Sequence, residues 1–271
     1  MNEVIRGTGL IFGSDKSETI WADGPSVVYA EGGNDTIQLS NFNDVSYLGS
    51  GNDTVQAELG NDLIFGEAGI DLIYGGGGND WLDGGKSNDT LWGGEGNDQL
   101  FGKEGNDELY GVTGTNALYG GLGNDLITGG DGTDVIFGGE GNDVILGGDD
   151  NDWISGGSGN NQVSGQRGDD ILYGSGTKNG RNEFFYRGDD DNDTVNRFNA
   201  EHDQLMIAVN INGTDIDSID DFASLLSSYG EEDSDDFGTL IDLGGGSSIQ
   251  LVGVSVDVVS GNLADYFTVI T

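Results

Sequence analysis

The sequence predicts an all-β fold: a parallel solenoid in which 18 residues make one coil, followed by a small C-terminal cap of strands and a short helix. Three observations predict it. A nine-residue unit recurs without a slip through most of the chain, an acid and an aliphatic residue keep fixed places within it, and Gly supplies 52 of 271 residues against a single Pro. About 19% Gly against roughly 7% in ordinary domains fits a chain built of tight turns, and the scarcity of Pro removes collagen-like and Pro-rich linker readings.

The clearest copies of the unit are GGGGNDWLD (75–83), GGEGNDQLF (93–101), GGLGNDLIT (120–128) and GGEGNDVIL (138–146). Counting in nines from Asp35, the sixth place falls on Asp44, Asp53, Asp62, Asp71, Asp80, Asp89, Asp98, Asp107, Asn116, Asp125, Asp134, Asp143, Asp152, Asn161 and Asp170. The eighth place from Val55 onward is Val55, Ile64, Ile73, Leu82, Leu91, Leu100, Leu109, Leu118, Ile127, Ile136, Ile145, Ile154, Val163 and Leu172, aliphatic throughout. A lone copy would carry little information; an acid and an aliphatic held in phase this long do not arise by chance.

Gly at places one, two and four tolerates positive φ and lets stacked turns approach, while the last three residues of the unit form a very short strand. Place eight points inward; seven and nine point outward. One unit is half a coil, so two return the chain to the same side about 4.8 Å further on. Residues i and i+18 become neighbours, and Asp53 stacks beside Asp71 and Asp62 beside Asp80 in two ladders on opposite edges.

Carboxylates about 5 Å apart repel by roughly 3 kcal/mol at an effective dielectric near 20, so a bare ladder opposes its own formation. A hard divalent cation between rungs reverses the sign. Ca²⁺ takes six to eight oxygens at about 2.3–2.6 Å, which two Asp side chains and turn carbonyls supply. Rungs with Asp at both ends are 35/53, 53/71, 71/89, 89/107, 107/125 and 125/143 on one edge, and 44/62, 62/80, 80/98, 134/152 and 152/170 on the other, eleven in all. Asn116 and Asn161 keep an oxygen without the charge and weaken their rungs. Phe42, Ser87 and Asp150 replace Gly at place four and put the neighbouring turns in question.

Charge and composition exclude other classes. Nine Lys and Arg against 49 Asp and Glu give a net charge of −40, which repels phosphate backbones and anionic lipids, so the sequence predicts no nucleic-acid or polybasic membrane partner. The same charge opposes compaction unless cations are held. With no Cys, disulfides, thiolate zinc sites and Cys nucleophiles are excluded. No apolar run approaches the ~18 residues of a membrane span, and the first residues lack the features of a Sec signal peptide.

The motif G-G-x-G-x-D-x-U-x in these copies resembles that of the RTX (repeats-in-toxin), or haemolysin-type, calcium-binding family, over about residues 30–175. The resemblance implies a right-handed parallel β-roll and Ca²⁺ as cofactor at about eleven sites. The ligands it implies are the place-six residues from Asp35 to Asp170, with carbonyls of turns such as Gly76 and Gly78, Gly94 and Gly96, Gly121 and Gly123, or Gly139 and Gly141. It also implies an extracellular or cell-surface location, reached through a type I secretion apparatus that reads an uncleaved C-terminal signal. Each unit buries a single aliphatic side chain for nine ordered residues, so metal binding has to carry folding: the expectation is an unfolded metal-free chain and a folded calcium form.

The expected organisation is an N-terminal cap at 1–30, the roll at 31–175, and a C-terminal cap with the secretion signal at 176–271. Ile20 and Val28 stand where inward aliphatics belong. After Leu172 the register breaks and resumes in two irregular turns around Asn182 and Asp193, in a stretch similar to the exit from the roll of secreted RTX proteins. Ile219, Phe222, Leu225, Leu226 and Tyr229 have the spacing of a short amphipathic helix, and GTLIDLGGGSSIQLVGV reads as two strands joined by a Gly-rich turn.

One outer face carries Phe65, Trp81, Phe101, Tyr119, Phe137, Trp153 and Tyr173, more apolar than chance surface apolarity gives, and predicts a docking face. Its occupant is the C-terminal segment, a second copy of the roll, or a polysaccharide stacked on the rings. Catalytic signals are thin: His202 is the single His, no H-E-x-x-H or G-x-S-x-G occurs, and Glu201, His202 and Asp203 read as a solvated turn. The expected role is therefore a non-catalytic adhesion, matrix, surface or polysaccharide-binding module. The alternative is a small RTX enzyme acting on extracellular polysaccharide or lipid, or an accessory module like those of alginate epimerases.

Overall fold

Inward residues recurring every nine positions give strands that pair, in parallel, with the strand two ahead in the chain. The structure, a computed structural model, describes residues 3–174, 180–186, 191–199, 201–208, 225–229, 238–252, 254–255 and 263–270. It divides into two units, Met1–Val135 and Ile136–Thr271, with the boundary inside the repeat region.

In the first unit the strands are β1 (Glu3–Ser14), β2 (Glu18–Glu31), β3 (Thr36–Gln38), β4 (Val45–Tyr47), β5 (Thr54–Gln56), β6 (Leu63–Phe65) and β7 (Leu72–Gly77). They continue as β8 (Trp81–Lys86), β9 (Thr90–Glu95), β10 (Gln99–Glu104), β11 (Glu108–Thr113), β12 (Ala117–Leu122) and β13 (Leu126–Asp131). The odd strands β3, β5, β7, β9, β11 and β13 form one sheet and the even strands β4 to β12 the other, both starting on β2. The register is Val55↔Ile73↔Leu91 on one sheet and Leu82↔Leu100↔Leu118 on the other, a constant step of 18 residues. These aliphatics are fully buried between the sheets.

β14 (Val135–Glu140) leads to β15 (Val144–Asp149), β16 (Trp153–Ser158), β17 (Gln162–Gln166), β18 (Ile171–Tyr173), β19 (Glu183–Tyr186), β20 (Asn192–Asn196) and β21 (Gln204–Ala208). The last elements are β22 (Leu226–Tyr229), β23 (Gly238–Gly244), β24 (Ser247–Val252), the four-residue helix α1 (Leu263–Tyr266) and β25 (Phe267–Ile270). In the second unit one sheet runs β15, β17, β19, β21, β25 and the other β16, β18, β20, β24, β23, β22. The only antiparallel pairs among the described strands are β22 with β23 and β23 with β24. The core grows larger past the repeats, with Phe184, Tyr186, Phe267 and Phe198 buried.

Three expectations are corrected. From β7 to β16, each repeat strand is six residues rather than three, because the Gly-rich places one to three also pair with the next coil, as in Gly76↔Gly94. Residues 226–229 do not end an amphipathic helix: they are β22, whose edge hydrogen bonds to β23 replace those of a helical turn. Ile219 and Phe222 lie outside the described residues. Asp203 is buried, although its neighbours Glu201 and His202 are exposed in a turn, because its carboxylate is drawn into the ladder described below.

Candidate metal centre

Each place-six side chain is anchored by the coil before it. The Asp53 N–H donates to Asp71 Oδ1 at 2.9 Å, and Asp71, Asp89 and Asp107 donate to Oδ1 of Asp89, Asp107 and Asp125, each at 2.8 Å. The opposite edge repeats the bond from Asp44 to Asp62 and on through Asp80, Asp98, Asn116 and Asp134, between 2.7 and 2.9 Å. In the second unit it joins Asp143 to Asn161 and Asp152 to Asp170 at 2.9 and 2.8 Å. Asn116 and Asn161 thus hold their places in the ladders. None of these side chains is more than 3% exposed, which places every predicted acid in a buried column.

One oxygen of the carboxylate is satisfied by this bond and the other is not. Oδ2 of Asp35, Asp53, Asp62, Asp71, Asp80, Asp89, Asp98 and Asp107 is buried with no hydrogen-bond partner. A buried, unpaired carboxylate oxygen is costly, and burial raises the acids above the ordinary carboxylate range. Burial pushes Asp35, Asp53, Asp80, Asp98 and Asp107 up to about 6, Asp62, Asp71 and Asp134 to about 7, and Asp89 to about 8.

The glycines leave the room these oxygens occupy. A Cβ on Gly75, at place one, would stand 2.5 Å from Asp80 Oδ2 and 2.7 Å from the Gly93 carbonyl oxygen. At place four, Gly78 has φ +132° and a Cβ there would stand 1.5 Å from the Gly60 carbonyl oxygen. The turn residues Gly76, Gly94, Gly96, Gly121, Gly123, Gly139 and Gly141 share this left-handed backbone. So do Ser87 and Asp150, so replacing Gly at place four does not unmake those turns.

Sequence reasoning missed three parts of this arrangement. The place-five Asn residues form a second ladder: Oδ1 of Asn61, Asn79 and Asn97 accepts the N–H of Asn79, Asn97 and Thr115 at 2.8 to 2.9 Å, fixing the turns that carry the carbonyls. The recurring Asn-Asp pair was its signal. Glu18 extends the first ladder, its N–H donating to Asp35 Oδ1 at 2.7 Å, and a count in nines misses it because it stands 17 residues before Asp35. Asp203 extends a ladder beyond the repeat, accepting the Asn182 N–H at 2.7 Å, whereas Asp193, which accepts the Asp170 N–H at 2.9 Å, stands in one of the irregular turns that the sequence led one to expect.

The outermost acids are closed differently. Asp44 Oδ2 accepts the Ser40 N–H at 3.0 Å and the Ser40 hydroxyl at 2.8 Å, Glu18 accepts the Ser14 N–H at 3.2 Å, and Asp203 Oδ2 accepts the Asn199 N–H at 2.8 Å. In each the residue four places earlier satisfies the carboxylate that the central repeats leave open.

The profile described as RTX calcium-binding nonapeptide repeat (4 copies) matches residues 12–46, 39–73, 74–109, 110–145 and 146–177. The chain belongs to this family. Its RTX repeats are calcium-binding repeats, and the all-β parallel solenoid with an 18-residue step is the β-roll of that family. No match was found among curated proteins.

Calcium fits these residues. The open Oδ2 atoms and the glycine cradles supply only oxygen, the donor of a hard cation, with no imidazole or thiolate to favour zinc. Among the described residues no group of three or more His, Cys, Asp or Glu side chains converges on one point. No described helix is long and apolar enough to cross a membrane.

The aromatic face is itself a ladder. Tyr29, Tyr47 and Phe65 stack with centroids 4.9 to 5.0 Å apart and planes within 8°, and Phe101 stacks on Tyr119 at 4.9 Å and 3°. Trp81 meets Phe101 at 4.5 Å, and in the second unit Trp153 meets Phe137 and Tyr173 at 4.9 Å each. Stacked rings spend their faces on one another and turn edges to solvent. Asp83 interrupts the column, and Lys103 pairs with it at 3.3 Å while lying over Phe101.

Proposed function

We propose that the two Asp columns are the calcium sites, that calcium drives folding of the roll outside the cell, and that the folded roll serves as a non-catalytic extracellular module. The open, buried Oδ2 of Asp35, Asp53, Asp62, Asp71, Asp80, Asp89, Asp98 and Asp107 carries this reading. Without a cation these carboxylates are desolvated and repel rung to rung; bound calcium supplies the positive charge and the open coordination positions that satisfy them. Asp53, Asp71, Asp89 and Asp107 would hold it on one edge and Asp62, Asp80 and Asp98 on the other, with carbonyls of turns such as Gly76, Gly78, Gly94 and Gly96. The closed Asp44 and Asp203 would hold it weakly. The eleven all-Asp rungs of the sequence set an upper expectation for the stoichiometry.

In this reading 1–30 is the metal-poor first part of the roll, 31–175 the calcium-folded part, and 176–271 its C-terminal cap with the export signal. Low intracellular calcium keeps the chain unfolded for passage through a type I apparatus, and extracellular calcium folds it. The apolar ladder face suits adhesion to a surface or partner protein better than sugar stacking, since its ring faces are already occupied.

Far-UV circular dichroism during a titration from micromolar to millimolar Ca²⁺, with Mg²⁺ in parallel, tests the reading. A cooperative coil-to-strand transition in Ca²⁺ alone is expected. Strand structure already complete in excess chelator would overturn it.

A further inference from the structure

β1 is paired along one edge, with β2, and its other edge is open among the described residues. Val4 and Leu10 are each 61% exposed there and Phe12 56%. A long strand edge with free N–H and C=O groups and apolar side chains is a template for another strand.

The direction of the two halves of β1 selects the occupant. Glu3–Gly7 extends the sheet of β2, β3 and β5, and Gly9–Ser14 extends that of β2, β4 and β6. A coil that returns to its start runs its two halves in opposite directions. A two-fold axis lying in the end face, parallel to the strands, therefore lays the first half of one copy antiparallel on the second half of the other, and both halves pair at once. A single strand from an unrelated partner would cover one half only.

Charge points the same way. Residues 3–14 carry one acid, Glu3, and one base, Arg6, and are neutral in a chain of net charge −40. Two copies repel through their acidic walls, and this end is where they approach with least repulsion.

We propose that β1 is a self-complementary docking edge through which two copies of this chain join head to head, in a closed two-fold dimer. Ile5 and Ile11 pack in line with the core residues Ile20 and Val28 of the next coil. A continuous core across the junction places Ile5 of one copy opposite Ile11 of the other, and the axis then passes through Thr8. The same register sets Val4 against Phe12 and the stem of Arg6 against Leu10, covering the exposed apolar side chains of both copies.

The proposal needs the calcium-driven folding above only to form the roll, and the two fail separately: circular dichroism reads folding, sedimentation reads assembly. In excess Ca²⁺ and about 0.15 M salt, which limits long-range repulsion, the full chain should sediment at twice the 28.3 kDa of one copy. Val4→Lys with Leu10→Lys should give a monomer with an unchanged calcium-induced spectrum. The chain has no Cys, so Thr8→Cys should form a single intermolecular disulfide on mild oxidation, because residue 8 faces its own copy. A folded chain that stays monomeric up to the highest soluble concentration, one that forms an open series of oligomers, or a Thr8→Cys variant that does not cross-link would each overturn it.

Discussion

The Asp71 N–H donates to Asp89 Oδ1 at 2.8 Å while Asp89 Oδ2, on the same carboxylate, is buried without a partner. One backbone bond locks the side chain in the column, and the fixed geometry leaves the second oxygen buried and open. Asp44 keeps the anchoring bond, its Oδ1 accepting the Ser26 N–H, but closes its Oδ2 on Ser40.

Removing the open carboxylate should therefore remove calcium. Asp89→Asn is expected to lower the stoichiometry by one to two ions and raise the midpoint of calcium-induced folding, whereas Asp44→Asn leaves the stoichiometry unchanged. Equilibrium dialysis with circular dichroism checks both, and equal losses in the two variants would contradict the assignment.

Proton binding should compete with calcium. The native values of Asp62, Asp71 and Asp89, about 7, 7 and 8 without metal, lie above the ordinary 3.8, so the metal-free fold binds more protons than the unfolded chain. The stability this confers is fully present below about pH 4 and is lost as pH rises through 6 to 8. In the reading proposed above, calcium supplies the stability at neutral pH and displaces those protons. The calcium midpoint should rise as pH falls from 8 to 5.5, with proton uptake or release followed by calorimetry in buffers of different ionisation enthalpy; a pH-independent midpoint would contradict it.

Two neighbouring glycines should differ sharply. Gly75→Ala puts a methyl against Asp80 Oδ2 and the Gly93 carbonyl and should cost more than about 2 kcal/mol in urea unfolding at saturating calcium. At Gly77 the nearest atom to an added Cβ is Leu59 Cδ2 at 3.0 Å, the end of a flexible side chain, so Gly77→Ala should cost under about 1 kcal/mol.

Ser46 stands at an inward place that is aliphatic in every later repeat, and its hydroxyl is buried with no partner. Ser46→Val should stabilise the calcium form by about 1 kcal/mol, read as a higher urea midpoint.

Phe101 lies between Trp81 and Tyr119, its faces in contact with neighbouring rings. Phe101→Ala should lower stability at saturating calcium by roughly 2–4 kcal/mol and red-shift Trp81 emission. Retention on immobilised polysaccharide should be unchanged once folding is matched, and loss of retention with unaltered stability would restore sugar stacking.

What the sequence by itself determined is whatever repeats in phase. The place-six acids from Asp35 to Asp170, the place-eight aliphatics and the 18-residue step follow from counting, because a solenoid turns a sequence period directly into a spatial one. The hairpin of β23 and β24 was legible for a different reason, the Gly-rich turn between its two apolar runs. The tertiary structure alone decided what breaks phase or depends on backbone geometry. Glu18 and Asp203 join the ladders at steps other than 18, the strand at 226–229 displaced a helical pattern by pairing with β23, and the orientation of the aromatic rings emerged only once they stacked. Above all, which oxygen of each carboxylate the backbone captures and which it leaves open is set by coil-on-coil hydrogen bonding, a contact between residues that no local pattern brings together.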